Sequence, residues 1–179
     1  MSKTALVLVD IQKEYFEGGA MPLPAMDAAA DKAAELLAKA RSRGDAIFHI
    51  RHISETAEAP IFKPGTAGTE IHEKVAPSAD EAVIEKARPN SFHGTELEAA
   101  LREAGIENIT LCGAMSQMCI DATARAAADL GFNVTVVSDA CAAAPVEHDG
   151  LSLSADQVHA AIMAPLAMAY GKVVKADAV

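Results

Sequence analysis

Short apolar runs alternate with longer stretches of helical period along this chain. Residues 5–9, ALVLV, are continuously apolar, the pattern of a strand buried on both faces. A loop follows, QKEYFEGGAMPLP, with Gly18-Gly19 and two prolines. From about 25 to 43, alanine and leucine recur with helical spacing, and Gly44 supplies a stop. Residues 45–50 (DAIFHI) predict a second strand and 82–85 (AVIE) a weaker third. Between them, residues 51–68 hold Pro60, Pro64 and two glycines. That loop is longer than a structural connection needs, which points to function. T-E-L-E from Thr95 reads as a capping box opening a helix that Gly105 ends. Residues 108–112 (NITLC) and 133–138 (NVTVVS) read as strands four and five. They flank an alanine-rich helix over 118–130, closed by Gly131. After a loop with Pro145 and Gly150, S-A-D-Q at Ser154 is a second capping box. The last helix runs to about Tyr170, with Pro165 expected to kink or break it, and 172–175 (KVVK) is a terminal strand.

Apolar strands alternating with helices predict an α/β fold, a mostly parallel sheet covered on both faces. With no internal repeat and no linker, residues 1–179 are read as one domain. In such sheets, ligands bind outside the carboxyl ends of the strands, so functional residues are sought just after each strand.

Composition narrows the class. Acidic residues outnumber basic ones 25 to 15, for a net charge of −10, and no basic cluster stands out. No nucleic-acid partner is therefore expected. The apolar fraction of 51 % is inflated by 39 alanines, yet the larger apolar residues still suffice for a core. No apolar run approaches the roughly 18 residues of a membrane span, so no membrane partner is expected. The start, MSKTALVLVD, does not read as a signal peptide. Three cysteines at wide spacing do not make a disulfide framework, and a reducing, cytoplasmic location is expected.

Three strand exits carry candidate chemistry. Asp10 follows strand one; taken alone it reads first as a turn or cap residue. Lys86 follows strand three, in EKARPNSF, where a lysine is ordinarily a solvated charge. Cys119 ends G-A-M-S-Q-M-C after strand four, at the start of the alanine-rich helix. There the positive end of the helix dipole is expected to lower its thiol pKa. Cys112, in strand four, and Cys141, after strand five, read as buried core. Thiol, carboxylate and cation together describe a nucleophile set.

VDIQKEYF, EKARPNSFHGTELEAALREAGI, ITLCGAMSQMCIDATARAAADLGF and VTVVSDAC, in that order, resemble the isochorismatase-like cysteine hydrolases. That superfamily includes nicotinamidases, N-carbamoylsarcosine amidase and isochorismatase. The resemblance covers roughly residues 4–142. It implies a three-layer α/β/α fold with a six-stranded sheet in the order 3-2-1-4-5-6. It implies an Asp–Lys–Cys triad, which maps onto Asp10, Lys86 and Cys119. It also implies a cis peptide between Ala114 and Met115, with the Met115 and Cys119 amides forming an oxyanion hole, and a homo-oligomer, a dimer or larger.

The chain departs from the nicotinamidase pattern at the exit of strand two. There, an Asp-x-His pair begins a metal site. Here the stretch is HIRHISE, with His52 near the place of the aspartate and Ser54 near that of the histidine. No metal and no cofactor are therefore expected. His49 and His52, three apart, should point to opposite faces, and His72 adds no matching spacing. The isochorismatases that cleave an enol ether lack the cysteine, so Cys119 favours acyl chemistry. The expected function is hydrolysis of a small-molecule amide through a thioester, with Asp10 taking the Cys119 proton and Lys86 stabilising the thiolate. Hydrolysis of an enol ether or ester, or a non-catalytic or redox-sensing role, are the alternatives. No G-x-G-x-x-G or P-loop follows strand one, which argues against a nucleotide-binding domain. Candidate pocket residues are Tyr15, Phe16, Arg51, His52, Phe92 and Gln117. Arg51 and His52 could bind a substrate carboxylate, Gln117 could orient neighbouring loops, and Arg88 could bind substrate or pair with an acid.

Overall fold

A computed structural model describes residues 3–179. In chain order the strands and α-helices are β1 (Lys3–Val9), α1 (Met26–Arg43), β2 (Ala46–His52), β3 (Ala82–Lys86), α2 (Leu97–Glu103), β4 (Ile106–Ala114), α3 (Asp121–Asp129), β5 (Asn133–Ala142), β6 (Val146–His148), β7 (Leu151–Leu153), α4 (Ala155–Ala169) and β8 (Gly171–Val174). Six strands form one sheet in the order β3-β2-β1-β4-β5-β8, every neighbouring pair parallel. This is the predicted three-layer architecture, with β8 as the sixth strand because β6 and β7 form a separate hairpin.

The central strand shows why its sequence is apolar throughout. Successive side chains point to opposite faces. Leu6 and Leu8 enter the core beneath α1, while Ala5, Val7 and Val9 enter the core shared with α2, α3 and α4. Each face buries an independent apolar cluster, and loop residues 53–80 close the α1 side with Phe62 and Val75.

Four local expectations are corrected. The Thr95 capping box does not form: its hydroxyl donates to the Ser91 carbonyl at 2.6 Å, and α2 starts behind Glu96 with no side-chain cap. The hydroxyl bridges the preceding turn and the helix start, also accepting from the Leu97 N–H at 3.3 Å, with no reciprocal Glu98 bond. By contrast, the Ser154 box closes with both reciprocal bonds. Pro165 does not break α4, which runs through it, anchored by buried Val158, Met163 and Leu166 on either side. Residues 142–154 are not plain loop. Asp149 and Gly150 both take positive φ (49° and 76°) and turn the β6–β7 hairpin, as a two-residue D-G turn favours. The helix after β4 begins as a π turn, Ser116–Ile120, before α3.

Candidate active site

The sheet order brings four side chains into one row. In register, Val9 of β1 lies beside Ile50 of β2 and Gly113 of β4, and His52 of β2 lies beside Lys86 of β3. Asp10 follows β1 directly, with φ 51°. Gly113 makes this junction possible. A Cβ there would sit 1.9 Å from the Val9 carbonyl oxygen, so only glycine lets β4 pass the end of β1. The chain then crosses the cis Ala114–Met115 peptide into the π turn that carries Cys119.

Asp10, Lys86 and Cys119 meet below the surface, with relative exposures of 0 %, 4 % and 3 %. Lys86 Nζ lies 2.7 Å from Asp10 Oδ2 and 3.2 Å from Cys119 Sγ. It also lies 3.0 Å from His52 Nδ1. The Asp10 contact is an ion pair off the line of a hydrogen bond, and Oδ1 has no hydrogen-bond partner. The Cys119 thiol pKa is shifted in the direction opposite to the helix-dipole expectation. Burial, and then the Asp10 charge, push its pKa well above the ordinary thiol range, and Lys86 opposes them without prevailing. The dipole argument fails because Cys119 sits in a buried π turn ahead of α3.

Aromatic rings wall one side. Tyr15 packs edge-on against Phe62 with centroids 5.1 Å apart, and Phe62 stacks on His52 at 4.8 Å. Burial, and then the Asp10 charge, push the Tyr15 hydroxyl pKa far up. Phe62, Gln12 and Glu14 are parts of this wall that sequence reasoning missed. Phe62 takes φ 53°, and its N–H donates to Glu14 Oε1 at 2.7 Å. Buried Gln12 donates to the His52 and Thr69 carbonyls and accepts from the His52 N–H. Gln12 and Glu14 look like ordinary loop polars, because the loop that buries them lies some 40–60 positions away.

The other candidates are dispersed. Phe16 stacks on His72 at 3.7 Å and lines an open cavity of about 640 Å³ that none of Asp10, Lys86 and Cys119 borders. A cleft of about 440 Å³ does reach Lys86, between Ile53, Arg88 and His93. Arg51, next to His52 on β2, takes the opposite face and pairs with Glu85 rather than joining the site. Phe92 stacks on Phe132, and Arg88 pairs with Glu55 at the surface. Gln117 does brace loops, donating to and accepting from the backbone of Ala144. Beside it, buried Ser116 contacts the Ala142 carbonyl and His159 Nδ1. Cys112 and Cys141 are buried. His49 and His52 do diverge: His49 bonds Glu81 while His52 faces Lys86.

Among the described residues, one grouping could chelate a metal: single donor atoms of Asp10, His52 and Cys119 within 4.8 Å of one another. The Lys86 ammonium touches all three donors. A metal would have to displace this cation, so the residues present do not fit a resident metal. Among the described residues, no helix is long and apolar enough to cross a membrane.

Comparison with known proteins matches residues 4–166 to the isochorismatase domain family. An isochorismatase family protein of Bacillus subtilis is 44% identical over 98% of this chain and 97% of its own. Streptothricin hydrolase of Streptomyces noursei is 37% identical over 76% of this chain, which spans about half (48%) of that enzyme. Maleamate amidohydrolase of Pseudomonas putida is 33% identical over 76% of this chain and 71% of its own. Among solved structures, one from Oleispira antarctica, assigned to the isochorismatase hydrolases, superposes with a TM-score of 0.96 at 45% identity. It covers 99% of this chain and 95% of that one.

Proposed function

The chain belongs to the isochorismatase family, and we propose that it is a cysteine-dependent amidohydrolase that cleaves the C–N bond of a small molecule. The observation that carries this reading is the contact of Lys86 Nζ with both Asp10 Oδ2 and Cys119 Sγ inside the sheet's carboxyl edge. Similarity to maleamate amidohydrolase supports the choice of bond.

In this mechanism Asp10 removes the Cys119 thiol proton as sulfur attacks the amide carbonyl. Lys86 balances the charge forming on sulfur. The Met115 and Cys119 amides are assigned to the carbonyl oxygen as it becomes an oxyanion. The C–N bond breaks, and the amine leaves with the proton held by Asp10. Water then gives a proton to Asp10 and attacks the thioester, which releases a carboxylic acid and restores the thiol. No metal or cofactor takes part in these steps. The three free cysteines fit a reducing cytoplasm. The exposed apolar side chains of Leu151, Leu153 and Met168 support association between copies.

The test is an ammonia-release screen over small primary amides with the wild type and Cys119→Ala. Release by the wild type and none by the variant is expected. Full activity in Cys119→Ala would end this mechanism.

A further inference from the structure

We infer that His52 is a positioning residue: its neutral imidazole, accepting at Nδ1, completes the acceptor set of the Lys86 ammonium and holds it between Asp10 and Cys119. This rests on the Asp10–Lys86–Cys119 reading above and adds a fourth residue to it.

A lysine ammonium has three N–H donors and no acceptor. Buried Lys86 has three partners within reach: His52 Nδ1 at 3.0 Å and Cys119 Sγ at 3.2 Å as hydrogen-bond acceptors, and Asp10 Oδ2 at 2.7 Å as an ion-pair partner. Loss of an acceptor from this buried site would be costly, and the ammonium would drift toward whatever partner remained. Two of the three partners, the carboxylate and the sulfur, change their protons during the proposed reaction. His52 is the acceptor that stays the same throughout. To accept at Nδ1, the ring must carry its proton on Nε2. His52 and Asp10 Oδ2 are 3.8 Å apart, beyond hydrogen-bond reach, so the imidazole serves Lys86 rather than the carboxylate.

The surroundings of His52 fix it for this task. Its strand register sets it level with Lys86 on the neighbouring strand. Gln12 clamps its backbone at both the N–H (2.7 Å) and the carbonyl (2.9 Å). Its ring lies flat on Phe62, which Glu14 holds in turn. The edge of the ring meets Lys86 and its face meets Phe62, so the two contacts can be removed separately. Asparagine at this position keeps an acceptor near the place of Nδ1 and loses the stacked face. Phenylalanine keeps the face and loses the acceptor.

The experiment needs no substrate. Ring ¹⁵N NMR, with His52 assigned by its loss in His52→Asn, reports the tautomer at pH 7.5. Iodoacetamide labelling of Cys119 at pH 9, followed by peptide mass spectrometry, reports how well Lys86 supports the thiolate. The expected results are an Nε2–H tautomer, labelling of His52→Asn within about twofold of wild type, and His52→Phe slower by about tenfold. An Nδ1–H tautomer or an imidazolium overturns the inference. So does His52→Phe labelling as fast as wild type, or His52→Asn slowed as much as His52→Phe. Lys86→Met tests the parent reading separately: labelling unchanged in that variant would remove the role of Lys86, and the inference with it.

Discussion

Two carboxylates at opposite ends of the β1–β2–β3 part of the sheet, Glu81 and Asp10, differ in how well each is satisfied. Glu81, just before β3, receives Arg41 Nε at 2.6 Å, Arg41 Nη2 at 2.9 Å and the Ser78 N–H at 2.9 Å, and it contacts His49 Nε2 at 2.9 Å. Arg41 and the backbone bond hold its carboxyl down at about 2. Burial lowers the pKa of His49 beside it. Asp10, at the other end of the same strands, has one cation beside Oδ2 and no hydrogen bond to Oδ1. A carboxylate with both oxygens bonded is a structural anchor. One with an oxygen left without a hydrogen-bond partner beside a thiol matches the base that the proposed mechanism requires.

The largest effect should come from the unsatisfied cluster. Asp10→Asn keeps a residue that tolerates the left-handed backbone but removes the base. It should lower kcat by about 10²–10⁴-fold on any amide found in the screen, whereas Glu81→Gln should leave kcat unchanged. A comparable loss of kcat in both would break the distinction between the clusters.

The next effect is on stability. Glu81→Gln should cost roughly 2 kcal/mol by urea unfolding at pH 7, after allowance for the partly exposed Arg41. The pH dependence follows from the depressed carboxyl, about 2 when folded against 4.5 as the reference. The stabilisation is fully present above pH 4.5 and is lost as pH falls toward 2. Urea midpoints between pH 5 and 2.5 should therefore fall less steeply in Glu81→Gln than in the wild type.

A third measurement separates the two roles of Asp10. Its charge is one cause of the raised Cys119 thiol. Iodoacetamide labelling of wild-type Cys119 should be slow at pH 7 and rise only in alkaline solution. Asp10→Asn should label faster while turning over more slowly. Faster labelling of the wild type than of the unfolded chain at pH 7 would contradict the raised thiol. The smallest effect belongs to the pair between the clusters, Arg51–Glu85, which faces solvent. Glu85→Ala should change stability by less than about 0.5 kcal/mol and leave turnover alone.

Much of the fold was legible along the chain, because buried parallel strands must be apolar on both faces. ALVLV, NITLC and NVTVVS announce themselves for that reason. The candidate residues Asp10, Lys86 and Cys119 were legible by position, at or just past a strand end, and by the motifs around them. Phe62, Gln12 and Glu14 were not. Their burial depends on two loops folding onto each other, and loop–loop contact leaves no periodicity. Arg51 and His52 show the same limit at one step of strand. Both are basic and adjacent, yet pleating sends one to Glu85 and the other to Lys86. The Asp149-Gly150 hairpin left a D-G turn signal in the sequence, yet the stretch reads there as a loop because its strands are only three residues long.

Hydrophobic period, a local property, announced the strands, the helices and a covered parallel sheet from the sequence alone; strand-end position marked Asp10, Lys86 and Cys119 as candidates, and the family resemblance supplied the strand order and joined the three into one set. The tertiary structure alone decided the burial that raises the Cys119 thiol pKa and the pairing of His52 with Lys86. A thiol's charge depends on the burial around it, and a histidine's role depends on which neighbouring strand supplies the donor.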